Sequence, residues 1–131
     1  MYKLMDIKSV LLAILLLLSA DLFAQSNSTS NEYAYKWKSE IIATDAPRSE
    51  GTRYRIELIT VRHYNPNDPD LKSLSQHGKI YPERSLTNGN IKLMLGNMKS
   101  LEEAKVIERK LKNMGFTSAK TIRYREGFRV E

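Results

Sequence analysis

The side chains whose types and spacing suit them to meet a ligand are Arg55, Glu57, Tyr81, Glu83, Lys92 and Met94. They occupy the positions opposite the apolar ones in three alternating stretches. Arg55, Glu57 and Ile59 alternate with Tyr54, Ile56, Leu58 and Thr60. Tyr81 and Glu83 alternate with Ile80 and Pro82, and Lys92 and Met94 with Ile91, Leu93 and Leu95. A period of two places each set on one face of a sheet. Such a face offers what a sugar chain needs: polar groups for hydroxyls at Arg55 and Glu57, a ring at Tyr81, a flat thioether at Met94 and a cation at Lys92. The same residues also describe an ordinary solvated face, with Arg55, Glu57 and Lys92 paired across neighbouring strands for about 0.2–1 kcal/mol each.

Catalytic chemistry finds little to work with. The chain has two histidines and no cysteine, so thiol nucleophiles, disulfides and thiolate metal sites are excluded. His63 falls in a loop and His77 beside a glycine, with no H-E-x-x-H pattern to make either a metal ligand. Phosphate-cradling and nucleophile-elbow motifs do not occur. The sequence therefore implies no enzyme, no metal and no cofactor.

The elements that must position the polar face are clearest around residues 100–114. Ser100 and Glu103 have the spacing of a capping box, and Leu101, Ala104, Ile107, Leu111 and Met114 form one helical stripe. Glu102 and Glu103 open this helix, Lys110 and Lys112 close it, and Gly115 follows it. Strands are predicted over 54–61, 80–83, 91–95 and 118–124. Asn88-Gly89 is a hairpin signal, and a short helix capped by Asp68 or Asp70 carries Leu71 and Leu74. Pro82 points to an edge strand. Ile56 and Leu93 are separated by the same number of residues as Gly78 and Gly115, which points to a doubled unit. The expected fold is α+β: a doubled β-α-β of ferredoxin-like, RNP-like order, with a four-stranded antiparallel-type sheet and two helices on one face. The other face would stay bare and serve as a docking platform. A domain of fewer than about 80 residues buries only roughly 60% of its unfolded surface, so such a face is affordable.

Residues 1–24 read as a secretory signal peptide: Lys3 and Lys8, the apolar run Val10 to Leu18, then small residues to Ala24. The run is too short for the roughly 20 residues of a membrane span. Cleavage would release a chain without stable membrane insertion. Residues 25–52 read as a polar linker followed by an extension in which Tyr33, Tyr35 and Trp37 share one side. These rings form either a sticky strip or an anchor that packs against the domain, which starts at 53 and runs to 131. The chain carries a net charge of +6, unchanged by cleavage because the first 24 residues hold two basic and two acidic side chains. On an exported protein that charge favours anionic envelope material over nucleic acid. Single-strand nucleic-acid binding is also disfavoured by Glu57 and Met94, which stand where RNA-recognition modules of this strand order place aromatics.

Y-R-I-E-L-I-T (54–60), H-G-K-I-Y-P-E (77–83) and N-I-K-L-M-L-G-N-M-K-S-L-E-E-A-K (90–105) together resemble a SPOR domain, the sporulation-related, peptidoglycan-binding repeat of bacterial envelope and cell-division proteins. The resemblance covers about residues 53 to 126. The short first helix and the tail Y-R-E-G-F-R-V (124–130) resemble the divergent Bacteroidetes-type form. Glu57 stands where the family usually has glutamine, Ile59-Thr60-Val61 replaces a Gly-Ala-Phe-like turn, Met94 stands at a commonly polar or basic position, and Met98 replaces an aromatic. The resemblance implies an exported, periplasmic module that binds peptidoglycan glycan strands through Arg55, Glu57, Tyr81, Lys92 and Met94, with Lys92 facing the lactyl carboxylates of muramic acid. The alternative is a module of the same fold that has lost glycan binding and docks on another envelope protein.

Overall fold

The computed structural model describes residues 32–131, which form one compact unit, Glu32–Glu131. The expected signal peptide lies outside the described residues. Among those described, no helix is long and apolar enough to cross a membrane. In chain order the elements are β1 (Tyr33–Trp37), β2 (Glu40–Thr44), β3 (Thr52–Val61), α1 (Pro69–Lys72) running into a 3-10 turn (Ser73–Gln76), β4 (Lys79–Ser85), β5 (Ile91–Met98), α2 (Leu101–Asn113), β6 (Lys120–Arg125) and β7 (Phe128–Arg129).

All seven strands belong to one antiparallel sheet of order β1-β2-β4-β5-β3-β6-β7. This overturns the expected four-stranded, ferredoxin-like sheet with a bare reverse face. Three further strands join it, the sheet curls into a nearly closed barrel, and the helices are two short segments. Two of the added strands come from the segment read as an extension. Tyr33–Trp37 pairs with Glu40–Thr44 across a tight turn in which Lys38 takes a left-handed φ of 55°. Strand β2 then zips onto β4 through Ile42↔Ser85 and Thr44↔Glu83. Pro82 therefore does not mark an edge strand. It pairs with Leu93 on one side and falls just beyond the β2 ladder on the other, so its missing N–H breaks nothing.

The barrel seam is closed by side chains. The rings of Tyr33 and Tyr35 lie 5.9 and 5.5 Å from that of Phe128 on β7, both edge-on. The Tyr33 hydroxyl donates to the Gly127 carbonyl at 2.6 Å, and the Arg129 guanidinium stands 5.2 Å over Trp37. Glu126 and Gly127, with φ of 53° and 88°, make the two-residue turn between β6 and β7. A Cβ at Gly127 would meet Arg48 Cγ at 2.8 Å, so the close approach needs glycine.

The convex face carries the apolar core. Ile56, Leu58, Leu93 and Leu95 from the sheet pack with Leu71 and Leu74 from the first helical segment and Ala104 and Leu111 from α2. Ser100 caps α2, accepting from the Glu103 N–H at 3.0 Å, and Asp68 caps α1, accepting from the Asp70 N–H. Of the predicted α2 stripe, Ala104, Ile107 and Leu111 pack inward, while Leu101 and Met114, at the two ends of the stripe, remain 47% and 45% exposed. Glu108 fastens α2 to β6: its carboxylate accepts from the Thr121 N–H at 2.9 Å and from the Thr121 hydroxyl, and pairs with Lys112 at 3.2 Å. Burial alone would raise its pKa; the hydrogen bonds from Thr121 and Lys112 prevail and hold it down to about 2.

Candidate functional site

Alternation puts Arg55, Glu57, Tyr81, Glu83, Lys92 and Met94 on the concave face, where β3, β4 and β5 set Glu57 and Tyr81 beside Met94 and Glu83 beside Lys92. Because the barrel closes over it, that face is an interior. Arg55 and Met94 are fully buried, Glu83 is 2% exposed, and Glu57, Tyr81 and Lys92 are partly buried.

The centre of this interior is an ion pair. Arg55 Nη1 donates to Glu83 Oε2 at 2.9 Å, and the same oxygen accepts from the Tyr124 hydroxyl at 2.6 Å. Arg55 Nη2 donates to the Pro47 carbonyl, Nε reaches Asn97 Oδ1, and the guanidinium lies 4.0 Å over the Tyr124 ring. Met94, Ile122 and Tyr124 pack together around it. Gly96 makes room for it, since a Cβ there would meet Arg55 Cγ at 3.0 Å. Burial pushes the Tyr124 hydroxyl's pKa well above its usual value, with the Glu83 carboxylate adding to the effect. Burial does the same to Tyr35, whose hydroxyl is enclosed without a hydrogen-bond partner. Arg55 and Met94 thus hold the barrel together and are turned away from any external polymer.

The other predicted residues are dispersed. Glu57 is engaged by Arg129 Nη1 at 3.3 Å. Tyr81 has the Lys79 ammonium over its ring at 5.6 Å. Lys92 opens into a polar recess at one end of the barrel, about 210 Å³ in volume, with Glu40, Thr60, Glu83, Ser85, Asn88 and Asn90 around it. Among the described residues its ammonium has no ion-pair partner. Asn88 Nδ2 reaches Glu40 Oε1 at 3.5 Å, and Asn88 Oδ1 accepts from the Asn90 N–H. The recess presents one cation, two amides, hydroxyls and two carboxylates, of which Glu83 is already engaged by Arg55 and Tyr124, a set suited to hydroxyl-bearing ligands that bring one negative group to Lys92.

Glu40, Thr60, Asn88 and Asn90 are absent from the sequence-predicted set. Asn88-Gly89 read as turn chemistry, which it also is, with Gly89 at φ 80°. Glu40 joins the recess only because β2 pairs with a strand more than 40 positions away. Elsewhere, His63 lines a separate cavity and His77 precedes Gly78. Among the described residues no group of three His, Asp or Glu side chains converges as metal ligands. Comparison with protein-family models, with curated proteins and with solved structures finds no significant match for this chain.

Proposed function

We propose that the protein is an exported, non-catalytic module that binds peptidoglycan glycan, and that it does so at the open end of its barrel. The export half of this reading rests on residues 1–24, and the ligand class on the sequence resemblance together with the recess chemistry. The observation that carries it is Lys92, an unpaired ammonium surrounded by Thr60, Asn88, Asn90 and Glu40 in a recess of about 210 Å³. That volume suits about one sugar ring, so recognition falls on one muramic acid residue, its lactyl carboxylate on Lys92 and its hydroxyls and acetamido group on the amides. A strand lying along the sheet, touching Arg55 and Met94, would require the barrel to open.

The test is co-sedimentation with purified sacculi, intact and stripped of stem peptides by an amidase. Retention on either, reduced about tenfold by Lys92→Ala and by Asn90→Ala, is the expected result. Failure of the unsubstituted protein to sediment with both preparations defeats the reading. Retention indifferent to both substitutions removes the recess from it.

A second reading, docking on another envelope protein, is favoured by the closure of the concave face by β1. It is favoured too by an apolar pair on the outside of the barrel, Ile41 and Leu86, 40% and 60% exposed and linked by the Leu86 N–H to Ile41 carbonyl bond at 2.8 Å. Capture of a defined envelope protein that Ile41→Lys abolishes, with no sacculus binding, would select it.

A further inference from the structure

The helix-bearing face of the sheet is unevenly covered. The thirteen residues of α2 lie over β3, β5 and β6, whereas the remainder has only α1 and the 3-10 turn, of four residues each. Where that cover stops, a cavity of about 480 Å³ opens over Ile59 and Val61 of β3 and Leu93 of β5, with Leu71 and Phe116 as walls and Met114 at the rim. Its volume falls in the range of about 300–1,000 Å³ typical of small-molecule sites, and its floor is apolar.

The charges at its edge have one sign. Asp68 and Asp70 line the cavity beside His63, and no lysine or arginine does, in a chain whose net charge is +6. Asp68 Oδ1 is occupied in capping α1, while the exposed Asp70 carboxylate has no ion-pair partner among the described residues. The site is also separate from the polar recess. Strand β3 ends Ile59-Thr60-Val61, and Thr60 lines the recess while its two neighbours line the cavity.

We propose that this cavity binds a small cationic amphiphile, an alkyl or arylalkyl ammonium whose apolar body lies on Ile59, Val61 and Leu93 and whose head meets Asp68 and Asp70. An anionic amphiphile would set its head against two carboxylates, and a neutral one would forgo the ionic contact. This ligand class is independent of the glycan reading, and either site can fail without the other.

The experiment is amide-shift titration of the full chain with n-octylammonium, n-octanoate and n-octanol, each as a monomer in solution. Saturable shifts confined to residues 59–73, 92–94 and 114–116, with n-octylammonium binding at least ~10-fold more tightly than n-octanoate, are expected. Asp70→Asn, at an exposed position, should weaken n-octylammonium ~3- to 10-fold and leave n-octanol unchanged. Met114→Lys should narrow the preference for n-octylammonium over n-octanoate. Equal affinity for the two ions, shifts outside this region, absence of saturable binding, or indifference to both substitutions would each overturn the proposal.

Discussion

The two faces of the sheet are built from interleaved residues of the same strands, yet they are stabilised by opposite means. On the convex face, Ile56, Leu58, Leu93 and Leu95 meet helices across an all-apolar contact. On the concave face, one residue away along each strand, Arg55, Glu83 and Tyr124 form a charged, hydrogen-bonded centre enclosed by the barrel wall. The comparison teaches that a polar alternation in a strand indicates a second face but not its exposure. Burial of a charge is tolerated when a partner, further hydrogen bonds and an aromatic face surround it, and Arg55 has all three.

The sharpest way to break the contrast is to remove one member of the pair. Glu83→Ala leaves the Arg55 guanidinium buried and uncompensated and should destabilise the fold by about 3–5 kcal/mol in urea unfolding. Replacing both, Arg55→Met with Glu83→Leu, should recover most of that loss. If the double substitution costs as much as the single one, the concave face depends on more than the charge balance. On the convex face the corresponding probe is Leu58→Ala, expected to cost about 2–5 kcal/mol through lost burial and the cavity it leaves. No double substitution should rescue it by neutralising charge.

Acid sharpens the comparison at the junction of α2 and β6. Glu108 has a folded pKa of about 2 against 4.5 for the free side chain. Its contribution is therefore fully present above about pH 4.5 and is lost as the pH falls through about 2. The sign follows because the unfolded chain binds the proton first, and the size is on the order of 2–3 kcal/mol. Glu108→Gln should lower stability at neutral pH and flatten the acid limb of a stability-against-pH curve; an unchanged curve would show that the Thr121 contacts contribute nothing. The smallest effect is expected at Tyr35. Its enclosed hydroxyl has no partner, so Tyr35→Phe should be neutral or stabilise by up to about 1 kcal/mol. A loss of more than that, measured by thermal unfolding, would show that the hydroxyl is satisfied after all.

Local signals read well. The Ser100 cap, the span of α2, the Asn88-Gly89 turn and the alternation of β4, β5 and the first half of β3 were legible because each depends on neighbours within a few positions; a register shift between Glu57 and Ile59 then turns Ile59 and Val61 to the core and Thr60 to the recess, against the expected alternation. The packing of Tyr33 and Tyr35 against Phe128 was half legible: the period of two gave the shared side, but the partner ring lies more than 90 positions along the chain. The candidate site was legible only at Lys92, because Glu40, Thr60 and the Asn88–Asn90 turn come from three separate stretches that the barrel alone brings together.

Sequence by itself determined which residues alternate, where α2 begins and ends, and that the chain carries excess positive charge with no thiol. Tertiary structure decided what covers each face. Residues 33–44 could remain a tether or become two strands with equal local merit. The choice fell to β2 pairing with β4 and to rings closing on β7, and those long-range contacts turned a platform into an interior.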